Sequence, residues 1–169
     1  MGRKSHTRTL YCSMNGFPVG ELYLKNGRMS FKYSPEWLDV DGGRAISLSL
    51  PMQRAEITGD AVHAYFDNLL PDTTTIRDHM KDRLGAESAR PFDLLAKVGK
   101  DCVGALTFTQ VPATGEMPAL SLTPLSEDAI AQIIRETRIE KMLGMNSDDD
   151  FRISLAGAQE KTALTLWEG

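Results

Sequence analysis

Apolar positions along the chain follow two different periods. Between residues 8 and 33 they alternate with polar ones, the pattern of strands with one buried face. Three runs result, residues 9–13, 19–25 and 29–33. In the second, Leu22 and Leu24 oppose Tyr23; in the third, Met29, Phe31 and Tyr33 oppose Ser30 and Lys32. Asn15-Gly16 and Asn26-Gly27 separate the runs, and Asn-Gly suits two-residue hairpin turns because both residues tolerate positive φ. The pattern predicts a three-stranded meander. Pro18 has no N–H to give to a ladder, so the second strand is expected to start late or lie at an edge. Residues 45–50 alternate again, Ile46, Leu48 and Leu50 against Ser47 and Ser49, and predict a further strand ended by Pro51.

Elsewhere the period lengthens toward that of a helix. Ser34 to Leu38 fits a short helical turn, with Ser34 as its cap and Pro35 at the first position. Asp60 is placed to cap a helix carrying Val62, Tyr65, Phe66, Leu69 and Leu70, stopped by Pro71. Residues 73–84 predict a second helix with the stripe Ile76, Met80 and Leu84, and Gly85 as its C-terminal cap. Arg77, Asp78, Lys81, Asp82 and Arg83 read as its solvated face. Pro91 opens a third helix with Phe92, Leu94, Leu95 and Val98, closed by Gly99. Residues 103–109 predict a strand, and 120–122 a short one. Ser126 is placed to cap a last helix, with Glu127 and Asp128 at its positive end and Ile130, Ile133 and Ile134 on its apolar side. The fold class is α+β.

The 169 residues suffice for one domain or two small lobes, and 41% hydrophobic with 25% charged content is ordinary for a globular protein. A net charge of −4 argues against a chain-wide nucleic-acid footprint. Cys12 and Cys102 lie far apart without metal-type spacing, as expected of reduced thiols in the cytoplasm. The basic start MGRKSHTR leads into no apolar run of signal-peptide length, and no segment approaches the ~18 apolar residues of a membrane span. His6, His63 and His79 are scattered and suggest no metal site.

Candidate chemistry sits near the carboxyl end. Two β-type runs, residues 151–155 and 162–167, flank Ala156, Gly157, Ala158, Gln159, Glu160 and Lys161. Small side chains leave amide N–H groups open to a ligand, and a concave set of such donors suits polyphosphate, with Lys161 adding charge. Neither the Walker A pattern nor G-x-G-x-x-G is present, and an ordinary hairpin with a solvated tip is the plainer account. Asp148, Asp149 and Asp150 point in different directions outside any EF-hand pattern and read as solvated loop. Ser154 stands beside the small-residue loop, where phosphorylation would add about −2 charge next to its donors. No Ser/His/Asp, Cys/His, paired-carboxylate or catalytic-base motif is recognisable.

Several stretches occur together in one order: Val19-Gly20-Glu21-Leu22 with Phe31-Lys32-Tyr33, Leu48-Ser49-Leu50-Pro51, Phe66-Asp67-Asn68-Leu69-Leu70-Pro71-Asp72, Pro91-Phe92-Asp93-Leu94-Leu95, residues 99–105 and residues 150–164. This set resembles the N-terminal part of the HipA-type toxins, serine/threonine protein kinases of bacterial toxin–antitoxin modules. FDNLLPD and ISLAGAQEKTAL are its most specific parts. The resemblance implies that residues 1–110 form a HipA-like N-terminal subdomain of β-meander and helices. Residues 111–169 would begin a kinase-like N-lobe, with Ala156 to Lys161 as its phosphate-binding loop. It implies ATP and Mg as cofactors of the full kinase, and an aminoacyl-tRNA synthetase, notably the glutamyl enzyme, as substrate. Autophosphorylation at Ser154 would eject the loop and silence the enzyme. The implied partner is a helix-turn-helix, HipB-like antitoxin, through which alone DNA is met.

Phosphoryl transfer needs a nucleotide-binding lysine, a catalytic-loop aspartate and a metal-binding aspartate. In the family these lie beyond the stretch matched here, and Lys161 is not that lysine. The chain is therefore expected to hold no catalytic residue and to be inactive alone. Apolar surface meant for the remaining lobe predicts some self-association. The alternative is a stand-alone, antitoxin-type module that docks on a separate kinase and inhibits it; the loop and Ser154 weigh against that.

Overall fold

The computed structural model describes residues 7–99, 105–112, 122–143 and 164–166. Alternation builds the predicted meander: β1 (Thr7–Met14), β2 (Phe17–Lys25) and β3 (Arg28–Tyr33) pair antiparallel in sequence order. Both Asn-Gly turns have positive φ throughout, 51° and 83° at Asn15 and Gly16, 51° and 78° at Asn26 and Gly27. Such turns match the twist of the strands they join. Pro18 does not delay β2, and it stands where β2 pairs with β1 alone, because the pairing with β3 begins at Gly20. The strand starts at Phe17 and lies between β1 and β3. The register shifts between Cys12 and Ser13, leaving Cys12 opposite Gly20 and Ser13 opposite Pro18. This irregularity accommodates the residue that has no N–H for the ladder.

Two strands complete the sheet in the order β4-β3-β2-β1-β5. The two residues of β4 (Ile57–Thr58) pair with β3 and are too few to show a period. β5 (Leu106–Thr109) pairs with β1, within the strand expected over 103–109.

The helices are α1 (Pro35–Asp39), α2 (Asp60–Asp67), α3 (Thr74–Leu84), α4 (Pro91–Val98) and α5 (Glu127–Leu143). Helices α2 and α4 pack on each other and on the sheet, α2 against β3 and α4 against β5. Leu10, Leu22 and Phe31 from the sheet meet Val62 and Phe66 of α2, Leu94 and Leu95 of α4, and Phe108 of β5 in one buried core. Phe66 is its hub, with ring centroids 5.6 Å from Phe31 and 5.7 Å from Phe108. The tilted and edge-on arrangements are those aromatic quadrupoles favour. At Gly99 an added Cβ would lie 2.5 Å from the Cβ of Phe108, so only glycine lets the end of α4 approach β5 this closely.

Five local expectations are corrected. Helix α2 takes Gly59, at φ 103°, as its N-cap; Asp60 falls in the first turn, where its charge suits the dipole. The same helix stops at Asp67, and Leu69 and Leu70 lie in the turn before Pro71. Residues 45–50 form a tight turn rather than a strand. Arg77 is not solvated: its side chain is 13% exposed. In α5, Ser126 Oγ caps as expected by accepting from the Ala129 N–H at 3.2 Å. Ile134, assigned to its apolar side, is exposed.

Candidate functional site

Ser154 and the loop Ala156, Gly157, Ala158, Gln159, Glu160 and Lys161 lie outside the described residues, as do Asp148 to Asp150 and Cys102. His63 and His79 are exposed. Among the described residues no group of three His, Cys, Asp or Glu side chains is placed to hold a metal ion. No helix among them is long and apolar enough to cross a membrane.

The described residues contribute a structured surface between Ser34 and Leu50. Ser34 ends β3 and starts α1: its N–H reaches the Val19 carbonyl, its Oγ accepts from the Trp37 N–H at 3.1 Å, and Pro35 follows. This fixes where Trp37 stands. The indole Nε1 donates to the Arg44 carbonyl at 2.9 Å, folding the loop 40–44 back over the ring. The fold-back is possible because residue 43 is glycine: a Cβ there would lie 2.6 Å from the Trp37 carbonyl oxygen. Between this loop and the start of β2 a half-open pocket of about 350 Å³ remains. Phe17, Pro18, Trp37 and Val40 make its apolar walls, and Glu36 and Asp41 stand among its lining.

Leu48 lies just beyond, on the turn that replaces the expected strand. The buried Tyr33 hydroxyl clamps both ends of this turn, donating to the Leu50 carbonyl at 2.6 Å and accepting from the Ile46 N–H at 3.0 Å. Burial raises the Tyr33 pKa above its ordinary value, and the bond from Ile46 partly opposes this. Within the turn, the Leu50 N–H reaches the Ser47 carbonyl, and the Ser47 and Ser49 hydroxyls bond at 2.9 Å. Leu50 is thereby buried and Leu48 wholly exposed, at 101% of its reference area. An alternating pattern marked both leucines as inward; the clamp separates them.

A third feature holds the FDNLLPD segment. Arg77 on α3 donates from Nε to the Pro71 carbonyl at 2.6 Å, and from its two terminal nitrogens to the Asp67 carboxylate and carbonyl. The planar guanidinium joins the Leu70 N–H on the Asp67 carbonyl and ties it to the Pro71 carbonyl across the turn. Sequence reasoning missed this because Arg77 sits in a charge-rich run. Asp93 was missed likewise: it is buried, bound by Arg8 at 2.6 Å and by the Ser88 hydroxyl, with Arg8 also stacked on Phe92.

Comparison with known families matches residues 10–109 to the HipA N-terminal domain, over more than half of the chain. The chain belongs to this HipA family. The matched range runs from β1 to β5 and takes in the buried core of the described residues. Among curated relatives, "Putative kinase Y4mE" of Sinorhizobium fredii (strain NBRC 101917 / NGR234) is 33% identical over 167 residues. The match covers 96% of this chain and 39% of that protein. "Putative kinase Y4dM" of the same organism is 29% identical over 153 residues, covering 86% of this chain and 32% of its own length. The chain thus spans about two fifths or less of the curated relatives it matches. Among solved structures, it is similar to a chain in the complex of the Shewanella oneidensis MR-1 toxin–antitoxin system HipA, HipB and operator DNA. That similarity has a TM-score of 0.56 and 25% identity, over 76% of this chain and 29% of the other.

Proposed function

We propose that this chain is the N-terminal portion of a HipA-type serine/threonine kinase that uses ATP and Mg to phosphorylate an aminoacyl-tRNA synthetase. The observation that carries this reading is the match of the HipA N-terminal domain to residues 10–109. Relatives named as kinases support it over almost the full chain. In this reading Ala156 to Lys161 contribute backbone donors to the nucleotide phosphates, and Ser154 is the autophosphorylation site that silences the kinase. A HipB-like antitoxin is the partner, supported by the likeness to a HipA chain solved with HipB. These 169 residues contain no recognisable catalytic-base motif and are proposed to be inactive alone. The test is incubation of this chain with labelled ATP, Mg²⁺ and glutamyl-tRNA synthetase, beside the same chain extended to the length of its relatives. Label on the synthetase is expected only with the extended protein. Equal labelling by both would refute the division of labour, and labelling by neither would refute the substrate.

A second reading, a module that binds and restrains a separate kinase, is favoured by one observation. Every buried hydrophobic residue among those described lies between Leu10 and Phe108. The core of the described residues therefore lies within the matched domain. Co-purification of the chain with a HipA-like kinase supplied in trans, together with loss of that kinase's activity, would support the module reading.

A further inference from the structure

We propose that the pocket beside α1 is a docking site for a protein segment that presents one bulky apolar side chain next to a lysine or arginine. Two observations specify that occupant. The walls are apolar: Phe17 and Val40 stay 55% and 48% exposed in the folded chain, and Trp37 spends its only side-chain donor on the Arg44 carbonyl. The side chains of these walls offer no free polar atom, so the space of about 350 Å³ suits a large hydrocarbon or aromatic side chain. The polar members of the lining are both acids, Glu36 and Asp41. Both are exposed, and neither makes an ion pair among the described residues.

Nearby charges leave this polarity intact. Asp39 is taken by Arg54 at 2.8 Å, and Arg44 directs a terminal nitrogen toward Met14 Sδ at 3.8 Å. An incoming cation therefore meets two unsatisfied carboxylates at the mouth, and an incoming anion meets repulsion. The pocket also needs little rearrangement to receive a guest. The Ser34 cap, the indole bond and the Gly43 N–H on the Val40 carbonyl already hold its walls, which lowers the ordering cost of binding.

The experiment titrates the isotope-labelled chain with three short peptides and follows its backbone and indole N–H signals by NMR. The peptides hold Arg-Trp-Arg, Glu-Trp-Glu and Arg-Ser-Arg between glycines. Arg-Trp-Arg is expected to shift the signals of Phe17, the Trp37 indole, Val40, Gly42 and Gly43 with saturation. Glu-Trp-Glu should bind about fivefold more weakly or worse, the scale of one exposed ion pair, and the gap should narrow in high salt. Arg-Ser-Arg should leave the walls unshifted. The double variant E36K/D41K, altered only at exposed positions, should reverse the preference between the two Trp peptides. V40D should abolish the shifts of both while keeping the remaining spectrum. Equal affinity for the acidic and basic Trp peptides would overturn the proposal, as would shifts confined to other residues. Concentration-dependent shifts of the same signals without peptide would also overturn it, by making a second copy of the chain the occupant.

Discussion

Tyr33 shows how much one polar atom decides. Its ring lies in the core, 5.0 Å from that of Phe31, while its hydroxyl is the common partner of Ile46 and Leu50. Tyr33→Phe keeps the packing and leaves a buried carbonyl and an amide without partners. The expected cost is about 1–3 kcal/mol, read as a lower urea midpoint with unchanged slope. Limited proteolysis should then cut between residues 44 and 50 first. Tyr23 provides a pH dependence. Burial pushes its pKa up to about 12, and the hydrogen bond to Glu21 with the charges of Glu21 and Glu56 adds to this. A raised folded-state pKa means that the folded chain keeps a proton the unfolded chain releases above pH 10.0, the ordinary value. This contribution is complete below pH 10.0 and is lost as pH rises toward about 12. In alkaline denaturation Tyr23→Phe should flatten that part of the stability curve. Tyrosinate absorbance should show one late-ionising tyrosine fewer in the variant.

At the scale of elements, the link between α2 and α3 is set by Arg77 rather than by helix propensity. Its fork grips Asp67 and Pro71 together, and a lysine has the charge without the fork. Arg77→Lys is expected to destabilise by about 1–3 kcal/mol in urea unfolding. Amide exchange should accelerate most at residues 68–70, while β1 and β2 keep their protection. An effect spread evenly over the chain would show that Arg77 contributes only to global packing. The periodic pattern located α2, α3 and α4 to within a few residues. It misjudged the end of α2, because Leu69 and Leu70 continue the apolar spacing after the backbone has turned. Leu70 is buried from that turn, so the burial requirement was read correctly and the conformation was not.

At the scale of the molecule, the core formed by the described residues stays within the matched domain. The meander, α2, α4 and β5 bury their apolar faces on one another, and residues 122–135 supply no buried residue. Residues 1–112 alone are therefore expected to unfold in one cooperative urea transition, with a midpoint close to that of the full chain. A broad transition, or loss of structure in the shorter chain, would show that later residues complete the core. This closure also suits a subdomain that keeps its shape beside a kinase lobe, which is where the proposed function places it.

Local chemistry determined the meander, both Asn-Gly turns, the Ser34 and Ser126 caps, the helix-opening prolines and the family resemblance. Each depends on residues close in sequence, whose φ preferences and spacing act before any tertiary contact forms. The sequence also supplied the reading of Ser154 and residues 156–161. Tertiary structure decided what depends on partners distant in the chain. It set a register shift opposite Pro18, and turned Leu48 outward while burying Leu50 through a tyrosine in β3. It buried Asp93, drew the half-buried Arg77 into an ion pair, and left an acid-rimmed pocket beside α1. A period of apolar residues records which positions favour burial, whereas a hydrogen bond between distant residues determines which of them reach it.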